Sequence, residues 1–534
     1  MLRETMRKGI PTAAIGCLLV TLPLFIGCPP EVPWRSLLYP EDWEPAFTDA
    51  EGRFLHDFSY AGYHNGESEI PENPPGAVYD AVADYGADNT GTDDATVSIQ
   101  LAIDDAGAAG GGIVLLPEGV YRCDGLLRIT DSGVVLRGEG PDRTHLFFTA
   151  VTGMSGKAHI TFDGAPQQGA DLLLSVEGEN RSTVVYLDDA SSLQAGDDVN
   201  VGWVITEAFT AEHAMTGTWV SFTGQWKPFF RREVVALDLG STPHEVTLDV
   251  PIRYPAKLRD GASLRRETGH LSECGLEALS LSNAVDWEAA WEEARVHVVL
   301  LSDAKDCWIR DVHSASSPYE PAAGYHLQNC GFRILSSKRI TVADCRMENP
   351  QHRGGGGCGY LYEITKSNEV LIRDSAGIAG RHNFVQNWDF GTTGCVFLRC
   401  ESDGGHCMNG PNDIIGYPCF SEYHHSLAMA CLVDACTLGD GWYGGNRQDW
   451  SSGAGHTVTE SVYWNTGGSG YMQSWQYGWG YVIGTQGLIV ATAVSGQSAE
   501  GTEPQDWVEG LGSGDYLMPV SLYEDQLARR LNRQ

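Results

Sequence analysis

A chain of 534 residues, 42% of them hydrophobic, has enough apolar side chains to form one or more cores, which excludes global disorder. The formal net charge of −35 argues against nucleic acid as a partner, because phosphate binding needs a surface rich in Lys and Arg. An acidic glycan is compatible with this charge only where basic side chains are concentrated locally, and the 64 glycines favour short strands joined by turns.

The first residues have the layout of an export signal. Three basic residues within the first eight precede an apolar run over 10–27. The run ends in Phe-Ile-Gly-Cys at 25–28, which resembles the cleavage site of bacterial lipoproteins, with Phe25 where Leu is usual. The resemblance implies a signal peptide over 1–27 and lipidation of Cys28. An ordinary signal peptide and an uncleaved anchor are the alternatives.

This resemblance also implies a location. We expect the protein to be exported and lipid-anchored to the bacterial cell envelope, at the outer membrane or the cell surface. The lipid on Cys28 would be its only contact with a membrane, because no later stretch of sequence is long and apolar enough to span one.

Twelve of the fourteen cysteines follow Cys28, and export makes disulfides permissible among them. No CxxC pair and no His/Cys cluster has the spacing of a zinc site, so we predict no metal site and no cofactor. Ca²⁺ is left open without assigned ligands, because the chain is acidic but no spacing singles out a site.

The N-terminal third is divided by composition. Residues 28–76 are rich in Pro, Trp, Glu and Asp and are predicted to form a tether and covering segment. Residues 77–149 are predicted to form an N-terminal cap and the first coils of a solenoid. There a helix-period run over 97–106, with Asp93 or Asp94 as its N-cap, ends at three glycines and is followed by strand patterns.

The stretch over 79–140 resembles the N-terminal capping region of the pectate-lyase-like superfamily, which includes pectin lyases, rhamnogalacturonases and many phage depolymerases. The resemblance implies an all-β fold, a single-stranded right-handed parallel β-helix with an N-terminal capping helix and a β-rich insertion. A helix laid over the first coil closes the open end of a solenoid, so we assign these residues to the fold and not to chemistry.

Residues 150–272 break the pattern and are predicted to form the β-rich insertion. Residues 273–500 are predicted to form coils with long aromatic loops, and 501–534 a C-terminal cap or tail. Six segments align with an apolar residue at their third position: Ile309, Val342, Ile372, Phe397, Val433 and Val458. This register stacks Cys395 on Cys431 and Cys400 on Cys436, and we expect at least one pair to be reduced.

The loops between these coils are rich in aromatic residues, Asn and Arg, and loops on a rigid scaffold often carry function. Either the aromatic rings contact a glycan, or they attach the loops to the solenoid. The predicted substrate-binding residues in these loops are Trp442, Asn446, Arg447, Trp450, Tyr471 and Trp475.

A further group precedes the aligned strands. Arg381-His382-Asn383 aligns with His326 two coils earlier and with His424-His425 one coil later, and Lys366 lies at the preceding corner. We predict Arg381, His382, His425 and Lys366 as catalytic residues, with His326 and Asn383 binding substrate. The order Lys-Ser then Arg-His-Asn resembles β-helical lyases of alginate and chondroitin-type chains, although Lys366 and Arg381 are separated by less than one full coil.

Uronate lyase chemistry gives these residues roles. Arg381 would clamp the C6 carboxylate, and His382, His425 or Lys366 would move the proton. We therefore predict a surface-anchored polysaccharide lyase-like enzyme that cleaves an acidic glycan by β-elimination. The alternatives are a glycoside hydrolase and a non-catalytic glycan-binding or structural envelope lipoprotein. The hydrolase would use two of several loop carboxylates: Asp389, Asp403, Asp413, Glu422, Asp440 and Asp449. Sugar identity, linkage and oligomeric state are left open.

Overall fold

The structure, a computed structural model, describes residues 32–533 except 320, 321, 323 and 414. The predicted signal peptide and Cys28 lie outside the described residues. None of the helices among the described residues combines the length and apolarity needed to cross a membrane.

Parallel strands stacked coil upon coil form the body of the molecule, a right-handed parallel β-helix as predicted. Twenty strands are linked in one continuous network. In chain order they are Ala77–Asp80, Thr90–Asp94, Gly112–Leu115, Gly119–Cys123, Val134–Arg137, Thr144–Phe148, Leu271–Ser272, Gly275–Ser282, Ala304–Ser314, Lys338–Ala343, Arg346–Glu348, Leu371–Arg373, Ala376–Ile378, Val396–Leu398, Glu401–Asp403, Leu432–Asp434, Thr437–Leu438, Val462–Gly467, Tyr481–Gln486 and Trp507–Leu511.

A second parallel sheet of ten strands, named here the cleft sheet, forms another face of the coils. Its strands are Leu127–Ile129, Ala158–Asp163, His297–Ser302, Cys330–Leu335, Tyr360–Thr365, His382–Asn387, Ser421–Tyr423, Gly441–Gly444, Tyr471–Ser474 and Ile489–Ala491. Two short pairs accompany the coils, His406–Cys407 with Tyr417–Pro418 and Ala428–Met429 with Val458–Thr459.

The predicted column of apolar side chains holds for five of its six positions. Ile309, Val342, Ile372, Phe397 and Val433 are register partners from coil to coil, and all are buried in the main core. Burying each such side chain stabilises the fold by about 1.5–3 kcal/mol. The sixth position was wrong: Val433 pairs with Tyr463, while Val458 pairs with Ala428 in the short strand that precedes the column. Both sites offer an apolar residue, so the sequence pattern does not distinguish them.

The cysteine columns follow from the same register. The amide of Cys400 donates to Cys436 Sγ at 3.3 Å, and the neighbours Val396 and Leu432 are paired. Cys395, Cys400, Cys431 and Cys436 are all buried free thiols, which confirms that at least one pair is reduced.

The helix Thr96–Ala108 covers the first coil, with Ile99, Ala102, Ile103 and Ala106 buried against it. Its N-cap is Ala95 and not Asp93 or Asp94. Asp94 nevertheless satisfies the first turn, because its carboxylate accepts from the amide of Thr96 at 3.0 Å. The predicted carboxylate of Asp94 therefore caps the helix, although Asp94 lies one residue before the N-cap position.

An antiparallel sheet interrupts the coils within 150–272. Its strands are Gln167–Gln168, Leu172–Leu173, Val184–Leu187, Asp198–Val204, Trp226–Asp238, His244–Leu248 and Ser263–Thr268. Its own core includes Trp203, Trp219 and Phe229, and it extends to Phe390 and Met429 of the solenoid, so the sheet packs on the coils. Among the described residues, the remaining helices are Glu207–Glu212, Trp287–Glu292, Trp450–Gly453 and Leu522–Leu531, and 3-10 turns include Tyr63–Gly66, Val220–Phe222, Leu258–Asp260, Gly496–Ala499 and Gly514–Tyr516.

The segment before residue 76 lies on the outside of the coils. Trp43 and Phe58 are buried in a cluster with Trp464 and Ile483 of the later coils. The amide of Phe58 also donates to Gln526 in the C-terminal helix at 2.8 Å. The two ends of the described chain therefore cover the same flank of the solenoid.

Candidate functional site

A cleft of about 590 Å³ lies against the outer face of the cleft sheet. Side chains along a strand alternate between the two faces of the sheet. Trp442 points into the core, and Glu422, Tyr443 and Gln473, which share one register column, line the cleft. The strands of three successive coils therefore supply the floor.

Two loops form the walls of the cleft. On one side, the antiparallel pair of His406–Cys407 with Tyr417–Pro418 is closed by a disulfide between Cys407 and Cys419. On the other side, the loop over 445–455 brings Trp450 to the cleft. Trp450 is 75% exposed, so its ring is a free aromatic surface of the kind on which sugar rings stack.

Glu422 is a buried carboxylate on the floor with three basic neighbours. One oxygen, Oε2, accepts from Arg447 Nη1 at 2.8 Å. The other, Oε1, lies 3.1 Å from His382 Nε2 and is also in contact with His424 Nδ1. Burial opposes ionisation, but the charge of Arg447 and the contact with His424 hold the pKa of Glu422 well below its usual range. The carboxylate is therefore ionised at neutral pH.

His382 is buried between the floor and the disulfide-closed wall. Its Nδ1 lies 2.6 Å from the carbonyl oxygen of Phe420, and the opposite nitrogen faces Glu422. Burial lowers the pKa of His382 to about 3, against the opposing influence of Glu422. The imidazole is therefore neutral at neutral pH.

Arg381 stands where two clefts adjoin. It lines both the main cleft and a neighbouring cleft of about 360 Å³. Ser451 is also common to the two clefts. One guanidinium nitrogen donates to the carbonyl of Gly354 at 2.9 Å, and the group lies 5.9 Å from the ring of Tyr360. No ion pair joins Arg381 to a carboxylate among the described residues, so its charge is available to a ligand.

Tyr443 lines the cleft one strand beyond Glu422. The Arg447 guanidinium carbon lies 5.8 Å from its ring centre, and Trp475 packs edge-on at 5.5 Å. Burial raises the pKa of Tyr443 to about 12, and Arg447 opposes this shift. The phenol is therefore fixed by its neighbours and protonated at neutral pH.

Five of the residues predicted from the sequence line this cleft: Arg381, His382, Asn446, Arg447 and Trp450. Asn446 fixes the wall loop, because its side chain donates to the carbonyl of Glu500 at 3.1 Å and accepts from the amide of Gln448 at 2.9 Å. Tyr471 and Trp475 are half-buried and pack against the cleft residues Phe420 and Tyr443.

Two predicted catalytic residues are not available for proton transfer beside Arg381. Lys366 lines a different cleft, where its ammonium lies 3.7 Å from Asp389, because the coil corner that carries it faces the antiparallel sheet. His425 borders the smaller cleft, but both of its ring nitrogens are engaged, Nδ1 with Ser426 Oγ at 2.6 Å and Nε2 with the carbonyl of Ser451 at 2.8 Å.

The predicted stripe of histidines is wrong at His326. The coil before His382 places Tyr360 beside it in register, whereas His326 lies at a different corner and bonds to Ser314 at 3.1 Å. His424 does join His382, with ring centres 5.6 Å apart. The alignment failed because the loops of the earlier coils differ in length.

Asn383 and Trp442 are structural and do not bind substrate as predicted. Asn383 is buried, and its amide group donates to Asp440 Oδ2 at 2.9 Å and to the carbonyl of Asp403 at 2.9 Å. Trp442 is fully buried in the main core, where it stacks on Phe384. Both side chains therefore face the interior of the coils.

From the sequence, Tyr443 was only one of the loop aromatics and not a predicted site residue, and Glu422 was considered only as a hydrolase carboxylate. One pattern identifies part of this group, because residues two apart in a strand face the same side and Glu422 and His424 have that spacing. The approach of His382 from the previous coil, and the disulfide, depend on loop lengths and have no local pattern.

The sequence model of the family described as Rhamnogalacturonase A/epimerase, pectate lyase-like matches residues 80–194. This stretch contains the capping helix and the first coils, on which the predicted resemblance rested. Over this stretch the chain is similar to a pectate-lyase-like family, and its fold is a parallel β-helix. The matched stretch ends before the first residue that lines the cleft, so the match concerns the scaffold of the β-helix and not its site.

Curated relatives match a short part of the chain. Mannuronan C5-epimerase AlgE6 of Azotobacter vinelandii is 36% identical over 125 residues, which cover 23% of this chain and 13% of that protein. Alginate lyase 7 of the same organism is 33% identical over 98 residues, which cover 18% of this chain and 11% of that protein. The chain thus spans only a small part of the length of the relatives it matches.

Solved structures with a similar backbone fold include the tailspike gp61 of Pseudomonas phage phi297. The match has a TM-score of 0.48 and 13% identity, and it covers 79% of this chain and 70% of the tailspike chain. The polygalacturonase of Erwinia carotovora has a TM-score of 0.39 and 11% identity, covering 80% of this chain and 95% of that one.

Proposed function

We propose that this β-helix protein acts on an acidic polysaccharide, removing the C5 proton of a uronate residue and cleaving the chain by β-elimination. The observation that carries the proposal is Arg381, a guanidinium with no carboxylate partner among the described residues, which borders two adjoining clefts. In a chain with a net charge of −35, such a local cation is the feature that an anionic sugar requires.

The cleft residues can be given roles in this reaction. Arg381 clamps the C6 carboxylate through its planar fork, which makes the C5 proton more acidic. Tyr443 is protonated in the resting cleft, so it first loses its own proton to water; its phenolate then takes the C5 proton, and the bond between C4 and the glycosidic oxygen breaks as the C4–C5 double bond forms. The tyrosine then returns the proton to the departing oxygen, and Arg447 beside it favours the phenolate.

The choice of Tyr443 over His382 rests on hydrogen bonding. His382 already has one ring nitrogen on the carbonyl of Phe420 and the other against Glu422, whereas the Tyr443 hydroxyl has no such fixed partner among the described residues. Tyr443→Phe is expected to abolish turnover while glycan binding, measured by calorimetry, persists. Full activity of this variant would exclude Tyr443 as the proton-transfer group.

Epimerisation at C5 is the second candidate, and it is favoured by the matched relatives that are mannuronan C5-epimerases. Both reactions begin with loss of the C5 proton. An epimerase returns a proton to C5 from the opposite face, so the chain stays intact and the sugar inverts. Proton NMR of the polysaccharide after incubation separates inversion from the unsaturated ends that a lyase leaves.

Hydrolysis fits this cleft less well. Glycoside hydrolases generally use two carboxylates across the scissile bond. Glu422 is the one carboxylate among the described residues that line the cleft, and both of its oxygens are already engaged by basic groups. Binding of a glycan without any chemical change in these assays would instead indicate a non-catalytic binding protein.

We also propose that the protein is lipid-anchored through Cys28 to the cell envelope. The support is the sequence over 25–28, which resembles a lipoprotein cleavage site. Fractionation of cells that express the full chain tests this. Wild-type protein is expected in the membrane fraction, and Cys28→Ser is expected to prevent lipidation and reduce that share. An unchanged distribution would contradict the anchor.

A further inference from the structure

Three potential metal-ligand atoms converge on the floor of the cleft. One ring nitrogen each of His382 and His424 and one oxygen of Glu422 lie within 4.8 Å of one another, and all three residues are buried. The chain reaches this arrangement by placing Glu422 and His424 two apart on one coil and His382 on the coil before.

The hydrogen bonding of His382 turns its second ring nitrogen toward Glu422. Nδ1 donates to the carbonyl oxygen of Phe420 at 2.6 Å. Nε2 faces Glu422 Oε1 at 3.1 Å and makes no hydrogen bond there. A buried ring nitrogen aimed at a carboxylate oxygen without a hydrogen bond is an arrangement that a shared cation satisfies.

Arg447 does not fill this role. It bonds to the other oxygen of Glu422, Oε2, at 2.8 Å, and a second guanidinium nitrogen donates to Ser451 Oγ at 3.1 Å. The arginine therefore orients the carboxylate so that Oε1 is turned toward the two histidines. Such support of a ligand by a second residue is common around metal ions in proteins.

We propose that His382, Glu422 and His424 bind a divalent transition-metal ion of the Zn²⁺ class. Two imidazole nitrogens and one carboxylate oxygen are a donor set that Zn²⁺ accepts, whereas Ca²⁺ prefers oxygen ligands throughout. His382 and Glu422 line the cleft, so a fourth coordination position would face it. There a carboxylate oxygen of the glycan would bind, an assignment that rests on the proposed function.

Metal binding can be tested without any glycan. The full-length protein, freed of metal with a chelator, is titrated with ZnCl₂ and the bound ion is counted after gel filtration. We expect Glu422→Gln and His424→Ala each to lose one bound ion per chain relative to wild type. His313→Ala is the matched control, since the partly exposed His313 lies near Asp311 and belongs to no group of convergent ligand atoms among the described residues; it should leave the number of bound ions unchanged.

Unfolding of a variant is checked by circular dichroism, and Co²⁺ bound to the wild-type protein gives a second readout. Its visible absorption is expected to report four-coordinate geometry and to resist excess CaCl₂. Equal metal content in wild type and both cleft variants, or no Zn²⁺ binding at all, would overturn the proposal. Zn²⁺ binding without activity on any uronate polymer would instead contradict the proposed function and leave the metal site standing.

Discussion

Arg381 differs from the other arginines that line the two clefts. Arg447 is paired with Glu422 and Arg295 with Glu363, whereas Arg381 contacts only a carbonyl and an aromatic ring. The charge of a paired arginine is largely compensated inside the protein. Arg381 is therefore the residue whose loss should affect an anionic substrate most.

We expect Arg381→Ala to lower kcat/KM on the substrate by about 10²–10³-fold, because a preorganised charge in an active site contributes about 2.7–4 kcal/mol. Arg346→Ala, which removes an exposed arginine paired with Glu348, serves as control and should change little. Both variants should keep the wild-type Tm. If Arg381→Ala and the wild type had equal kcat/KM, Arg381 would not bind the substrate.

Two tryptophans of one loop region should behave in opposite ways. Trp450 is exposed at the cleft and Trp442 is buried in the core. Trp450→Ala is expected to raise the glycan Kd about tenfold, or about 1.4 kcal/mol, with an unchanged Tm. Trp442→Ala is expected to destabilise the fold by about 3–5 kcal/mol. Calorimetric binding and thermal unfolding separate the two effects, and loss of stability with Trp450→Ala would assign that ring to packing.

The positions of residues in the coil strands could be predicted from the sequence because these strands repeat. The positions of residues in the loops between them could not, because the loops vary in length. The apolar column from Ile309 to Val433 could be aligned because each coil buries one side chain at the same place. His326 was misplaced because its position depends on the length of a loop, which no periodicity fixes. Buried Trp442 and exposed Trp450 are both aromatic loop residues in the sequence, and only packing distinguishes them.

The disulfide between Cys407 and Cys419 ties together the wall that carries Tyr417 and Phe420. The bond closes a short loop outside the core, so its reduction should loosen this wall without unfolding the solenoid. We expect the variant with both cysteines changed to Ser to bind glycan more weakly, by about tenfold or 1.4 kcal/mol, with nearly the wild-type Tm. Unchanged affinity would show that this wall does not contact the ligand.

The antiparallel sheet contains a buried carboxylate whose ionisation stabilises it. Burial of Glu267 opposes ionisation, but His270 at 3.0 Å and nearby Arg231 lower its pKa to about 2. Because the folded pKa lies below the unfolded one, this group stabilises the fold above about pH 4.5, and the contribution is lost as pH falls toward 2.

The size of this contribution is about 3 kcal/mol, given 1.36 kcal/mol for each pKa unit. Glu267→Gln should therefore lower the free energy of unfolding at pH 7 by about this amount, and much less at pH 2.5. Urea unfolding at both pH values measures the difference. A variant equally destabilised at the two pH values would assign Glu267 a role in packing and not in charge pairing.

At the scale of the whole molecule, the sequence was sufficient for the scaffold and not for the site. The capping stretch over 79–140 indicated the β-helix because a solenoid must close its end in a few recognisable ways. The cleft is built from separate coils, and the pairing of Arg447 with Glu422 and of His382 with His424 exists only after the coils stack. The function therefore depends on side-chain geometry that the sequence pattern does not specify.

The whole chain is strongly acidic, yet its main cleft contains Arg381 and Arg447 with one carboxylate among the described lining residues. This contrast predicts discrimination between polymers by charge. Uronate polysaccharides should bind, neutral glucans should not, and binding should weaken with added salt because an electrostatic contact is screened.

The most direct test of the account is the ultraviolet absorbance of unsaturated uronate ends during incubation of the purified protein with a panel of uronate and neutral polysaccharides. We predict a steady rise with at least one uronate polymer, no rise with neutral polymers, and no rise with Arg381→Ala. The proposed β-elimination would be contradicted if reducing ends were released without any change in absorbance, and as readily from a neutral polymer as from an acidic one.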